Sequence, residues 1–100
     1  KPLVYFISEG SSARKQALVL ARELRNAGHS VQMHCGDGSF KNQIKRADKS
    51  GAMLAVILGQ DEYKKGKVAI KLLRDNNGAQ RSVNREHMVS SVAELLNQID

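Results

Sequence analysis

Tryptophan is absent from this 100-residue chain, and its only aromatic residues are Tyr5, Phe6, Phe40 and Tyr63. None of these forms the paired stacking motif of common single-strand nucleic-acid modules, so modules with aromatic signatures fit poorly. The lone cysteine, Cys35, excludes an internal disulfide framework and suits a reducing, intracellular compartment. The longest apolar run, residues 52–58, is far too short to span a membrane, and residues 1 and 2 lead straight into a strand-like run without a signal-peptide pattern. No membrane partner is expected. Internal repeats, linkers and low-complexity segments are also missing. Because residue 1 is lysine, the chain reads as an excised or processed piece of something longer.

What is present describes one ordinary globular domain: 41% hydrophobic residues, 26% charged residues and a single proline. The charge is unevenly distributed. Residues 41–74 hold nine Lys/Arg (Lys41, Lys45, Arg46, Lys49, Lys64, Lys65, Lys67, Lys71, Arg74) against Asp48, Asp61 and Glu62, which accounts for the whole net charge of +6. A concentrated cationic stretch suits a polyanionic partner, since each lysine near a phosphate releases a condensed counterion. For any single lysine in it, a solvated surface is the favoured reading.

The pattern of elements predicts an α/β fold. Residues 3–7 read as a strand, and a helix over 13–27 follows, with Ala17, Leu20, Ala21 and Leu24 on one face, Ser12 as N-cap and Gly28 as stop. A second strand spans 29–35 and breaks at residues 36–38. A second helix begins after Ser39 on a stripe of Phe40, Ile44 and Ala47 and ends at Gly51. Residues 52–58 are apolar without alternation, as in a strand covered on both faces. A polar loop over 59–66 leads to an alternating strand at 67–73. Residues 75–78 (Asp-Asn-Asn-Gly) form a hairpin turn into a strand at 79–83. Asn84 caps a last helix with the stripe Met88, Val92, Leu96 and Ile99. This order gives a three-layer, five-stranded mixed sheet, strand order 2-1-3-4-5, flanked by three helices. Ligands of such sheets favour the crevice at the carboxyl ends of the first and third strands, here between residues 8–12 and 59–63.

Several constellations carry candidate chemistry. Lys41, Lys45 and Lys49 fall at i, i+4 and i+8 on the second helix with Arg46 beside them, a cationic ridge opposite an apolar stripe. Composition alone leaves RNA binding and simple solubility equally open for it. Glu62 and Lys71 form a second candidate pair: a carboxylate accepts from base N–H groups, and an ammonium donates to base acceptors or phosphate. A surface acid and a strand-edge lysine that discourages edge pairing is the competing reading. Residues 35–39 could make a small anion nest, but lack the Gly-Lys-Ser/Thr ending of a nucleotide loop. His29, His34 and His87 show no metal-ligand spacing, so no metal is expected, and no nucleophile–base arrangement stands out. No active site is expected within these residues.

Residues 39–52, Ser-Phe-Lys-Asn-Gln-Ile-Lys-Arg-Ala-Asp-Lys-Ser-Gly-Ala, resemble the helix signature of the anticodon-binding domain of histidyl-tRNA synthetases. The likeness continues through residues 55–62 (Ala-Val-Ile-Leu-Gly-Gln-Asp-Glu), 66–71 (Gly-Lys-Val-Ala-Ile-Lys) and the first helix at 21–28. The threonyl, prolyl and glycyl enzymes share the fold, but the Lys-x-Gln-x-Lys-x-Ala-Asp spacing favours the histidine enzyme. The resemblance implies that residues 1–100 are a single C-terminal domain that binds a tRNA anticodon stem-loop and is not an enzyme on its own. It implies a homodimeric, cytoplasmic histidine-tRNA ligase as parent, with an upstream catalytic domain that uses ATP and Mg to charge tRNA in protein biosynthesis; this domain itself takes no cofactor. It further implies base contacts by Glu62 and Lys71. Glu9, Lys41, Gln43, Lys45, Arg46 and Lys49 join them as tRNA-binding positions. Departures occur in the hairpin at 72–80, which is about two residues longer than usual, with Leu72 where an acid is common and Ala79 where a glutamate is usual. They leave room for a regulatory paralogue in which the domain binds protein. A small phospho-ligand-binding enzyme is a third class.

Overall fold

Strands that are apolar on both faces must be covered from both sides, and this chain has two of them side by side. In the computed structural model, which describes residues 4–33, 39–74 and 80–99, β1 (Val4–Ser8) and β3 (Leu54–Leu58) pair in parallel at the centre of a five-stranded sheet. β2 (Val31–Met33) flanks β1 in parallel. β4 (Lys67–Leu72) and β5 (Gln80–Asn84) follow β3 antiparallel, so the order is β2-β1-β3-β4-β5, as the element pattern predicts.

One face of the sheet is closed by α1 (Ser11–Asn26) and α4 (Met88–Ile99). They bury Val4, Phe6, Leu54, Val56, Leu58, Val68 and Ile70 beneath Ala17, Leu20, Ala21 and Leu24 of α1 and Met88, Val92 and Leu95 of α4. The other face is covered by α2 (Phe40–Lys49) alone, which sets Ala47, Phe40 and Ile44 on Tyr5, Ile7, Ala55, Ile57 and Ala69. The alanines beneath α2 let the helix approach the sheet closely. In β4 the alternation resolves the faces: Val68 and Ile70 point to the α1/α4 core, while Lys67 and Lys71 share the α2 side with Ala69.

Several local expectations shift. α1 starts two residues earlier than expected, and its N-cap is Gly10 rather than Ser12. Gly10 adopts φ 93, a left-handed conformation that lets the chain turn into the helix directly after β1. Residues 60–65, expected as loop, form a short helix, α3 (Gln60–Lys65), so among the described residues four α-helices flank the sheet rather than three. Six residues are too few to show a 3.6 period, and end effects sustain this helix instead. Asp61 and Glu62 occupy its first turn, Lys64 and Lys65 its last, and Gly66 closes it at φ 70. Asn84 caps a 3-10 turn (Arg85–His87) rather than α4, with no side-chain hydrogen bond; Arg85 N–H donates to the Gly66 carbonyl at 2.9 Å and holds this turn at the start of β4. On α4, Leu95 is buried and Leu96 half-buried, so the stripe is rotated slightly from that expected; the Ile99 side chain lies outside the described residues. The expected break at 36–38 and the turn at 75–78 also lie outside them.

Opposite sides of α1 give a direct test of this packing. Leu24 is 0% exposed and Leu18 is 56% exposed. Leu24→Ala is expected to cost about 2–5 kcal/mol of stability, whereas Leu18→Ala should stay within about 0.5 kcal/mol. Urea unfolding of the two variants measures both.

Candidate nucleic-acid interface

α2 owes its start to Ser39, whose Oγ accepts a hydrogen bond from Asn42 N–H at 3.2 Å. Lys41, Lys45, Arg46 and Lys49 are all exposed, and the row from Lys41 to Lys49 runs about 12 Å along the helix. Asp48 is the acid within this ridge. Arg74 neutralises it and pins the helix end: its Nη2 donates to the Asp48 carbonyl at 2.6 Å, its Nε donates to the Ala52 carbonyl at 3.1 Å, and its Nη1 lies 3.8 Å from Asp48 Oδ1. Of the nine cations counted in residues 41–74, Arg74 therefore has a bracing role.

Gln43 lies on the opposite side of α2 from the ridge and is buried. Its Oε1 accepts from Ser8 N–H at 3.2 Å and its Nε2 donates to the Ser8 carbonyl at 2.9 Å. The next residue, Glu9, is exposed, and its N–H donates to the Leu58 carbonyl at 3.1 Å. Leu58 in turn leads into Gly59, whose N–H donates to Glu62 Oε1 at 3.1 Å. Glu62 thus reaches back from α3 as one half of a capping box; glycine has no side chain to reciprocate. Gly59 has an extended backbone, φ −76 and ψ 175, and what it supplies is space. A β-carbon there would stand 2.6 Å from Glu62 Oε1 and 3.9 Å from Glu9 Oε1. Two carboxylates therefore flank one glycine and form an acidic lip at the carboxyl ends of β1 and β3. Beside it is a cleft of about 240 Å³, lined by residues 9–13 with Gln60, Tyr63 and Lys64, at the crevice expected from the strand order. Arg85 lies 5.7 Å from the centre of the Tyr63 ring and braces α3 from below.

Glu62 and Lys71 are not brought together. Lys71 pairs with Ala55, near the amino end of β3, whereas the Glu62 carboxylate caps Gly59 beyond its carboxyl end. Four residues of strand separate the two levels, roughly 13 Å. Lys71 is half-buried on the face it shares with exposed Lys67. Their cross-strand partners on β5, Gln80 for Lys71 and Asn84 for Lys67, are exposed on that same face, with Ser82 between them. Sequence reasoning did not nominate Lys67, although its two-residue alternation with Lys71 carried the signal. Gln80, Ser82 and Asn84 needed the hairpin register, which composition does not supply. The possible anion nest at residues 35–39 falls almost wholly outside the described residues. Among the described residues, no group of three or more His, Cys, Asp or Glu is arranged to hold a metal ion, and no helix is long and apolar enough to cross a membrane.

Comparison with known proteins places this geometry. The chain is 46% identical over 96 residues to a histidine–tRNA ligase of Aromatoleum aromaticum, covering 96% of this chain and 22% of that protein. It is 51% identical over 78 residues to a histidine–tRNA ligase of Paraburkholderia phytofirmans, 74% of this chain and 18% of the relative. Among solved structures, the histidyl-tRNA synthetase of Nostoc sp. PCC 7120 superposes with a TM-score of 0.83 at 25% identity, over 96% of this chain and 23% of that one. A family model described as "Anticodon binding domain" matches residues 3–95, and the chain belongs to that family.

Proposed function

We propose that this domain binds the anticodon stem-loop of a tRNA as the accessory domain of a histidine–tRNA ligase. The observation that carries the reading is the placement of four exposed cations of α2 on the same side of the sheet as Lys67 and Lys71. A helix ridge about 12 Å long suits successive phosphates. The acidic lip and Lys71 supply the direction-sensitive groups. Glu9 and Glu62 accept from base N–H edges, and Glu62 keeps acceptor capacity beyond the Oε1 contact with Gly59. Because Glu62 and Lys71 lie at opposite ends of β3, they address different nucleotides rather than clamp one base. The names of the relatives support tRNA and histidine as the wider context, and the chain spans only 22% and 18% of the two named above. The remainder of such a ligase, homodimeric and cytoplasmic, would supply the catalytic core. ATP and Mg would belong to that core.

Titration of the domain with a histidine-tRNA anticodon stem-loop and with an unrelated loop tests the reading, and equal affinity for both would reduce it to non-specific electrostatics. Lys45→Ala should lower the slope of log K against log salt by about 0.7–0.9, the signature of one lost phosphate contact. Lys71→Ala should cost on the order of 1–3 kcal/mol with the cognate loop and less with the unrelated one.

Glu62 separates two roles through paired substitutions. Glu62→Gln keeps an acceptor for Gly59 N–H, so thermal stability should hold while cognate affinity falls. Glu62→Ala should lose affinity and also about 1 kcal/mol of stability, read from thermal unfolding, because the cap of α3 is gone.

A further inference from the structure

Among the described residues, Gln43 is the one polar or charged residue that is buried, at 6% exposure, and it stands in the middle of the most cationic helix. The location of its partner explains why a carboxamide is needed. Along β1, backbone groups point alternately to the two neighbouring strands. Val4 N–H goes to Ser30 on the β2 side, and Glu9 N–H goes to Leu58 on the β3 side. Ser8, in phase with Val4, therefore faces the β2 side, and β2 ends at Met33, level with Phe6. There the Gln43 side chain donates to the Ser8 carbonyl and accepts from its N–H, as a peptide group of an adjoining strand would. Only a carboxamide offers a donor and an acceptor in that geometry, and asparagine is one methylene shorter.

We infer that Gln43 is a positioning residue for RNA binding: its amide extends the sheet's hydrogen bonding to α2 and so fixes the cationic ridge relative to the Glu9/Glu62 lip. The connection is continuous. Ser8 is bonded to Gln43, its neighbour Glu9 to Leu58, and Leu58's neighbour Gly59 to Glu62. At the far end of α2, Arg74 holds Asp48 and Ala52, so the helix is clamped at two levels. The inference rests on the RNA-binding reading above, and it accounts for a Gln among binding residues that does not face solvent.

A double-substitution cycle tests it. Stem-loop affinity is measured for the unaltered chain, Gln43→Met, Lys45→Ala and the double variant, at a temperature where unfolding curves show each one folded. Gln43→Met should weaken binding by about fivefold or more, and Lys45→Ala should cost less in the Gln43→Met background than alone, because the ridge is already displaced. Leu95→Ala, in the opposite core, supplies a stability-matched control that should preserve both the affinity and the full Lys45 effect. Should Gln43→Met not fold, Gln43→Glu keeps the shape and the acceptor while removing the donor to Ser8, and the same cycle applies. Unchanged affinity, strictly additive effects, or an equal loss in Leu95→Ala would overturn the positioning role while leaving RNA binding intact. Failure of the unaltered chain to bind any stem-loop would overturn both.

Discussion

β1 and β3 run parallel and are buried throughout their lengths apart from the half-exposed Ser8. A parallel pair cannot be closed by a hairpin, so each connection must cross over a face of the sheet. Two such connections leave β1 by α1 and reach β3 by α2, on opposite faces, and the two-sided hydrophobic burial follows from that. The same pairing sets the place of the crevice: β1 and β3 end at one edge of the sheet, and the chain leaves them into α1 and α3, whose first turns line the cleft together. Glu9, Gly59 and Glu62 stand at those two chain exits. The acidic lip thus joins topology, which brings residues 9 and 59 together, to a local cap, by which Glu62 reaches back to Gly59.

The two faces then carry unequal loads. α1 and α4, joined by Tyr63 of α3, cover one side and α2 covers the other, which leaves β4 and β5 beyond α2 presenting Lys67, Gln80, Ser82 and Asn84 to solvent. Small residues, Ala55 and Ala69, stand where α2 meets the sheet. A surface that is polar, hydrogen-bonding and edged by a cationic helix differs in kind from the apolar face buried under α1 and α4. On the proposed reading it would meet nucleic acid through charge and polar edges, because the aromatics are engaged elsewhere: Tyr5 and Phe6 are in the core, Phe40 packs against it, and Tyr63 lies against Arg85.

The parts of this architecture legible in the sequence are those governed by repetition. The helical stripe of α1, the unbroken apolar run of β3 and the alternation of β4 each repeat one signal several times, and strand order followed from the pattern of connections. What escaped was decided by single contacts. α3 has six residues and is sustained by end effects, so no period announces it. The cap of α1 moved from Ser12 to Gly10 because a positive φ, invisible in composition, turns the chain earlier. Lys67 was passed over for Lys71, although both lie on one face, because family likeness singled out one of them. The separation of Glu62 from Lys71 depends on antiparallel register: a spacing of nine residues in sequence becomes opposite ends of one neighbouring strand.

Gln43 shows why a sequence signature should not be equated with a binding site. In the run Lys41, Gln43, Lys45, Ala47, Asp48, the lysines are exposed, while Gln43 and Ala47 are buried against the sheet. Asp48 is exposed, but its carbonyl and carboxylate serve Arg74. Two constraints are thus interleaved on one helix: a charge pattern that suits an anionic ligand and a packing pattern that suits β1. Neither is sufficient alone. A ridge of lysines on an unanchored helix would attract polyanions without register, and an anchored helix without lysines would only close a core. The carboxamide joins the two because it offers the Ser8 backbone both a donor and an acceptor. For that reason the most polar helix of the molecule can sit against its most apolar strands.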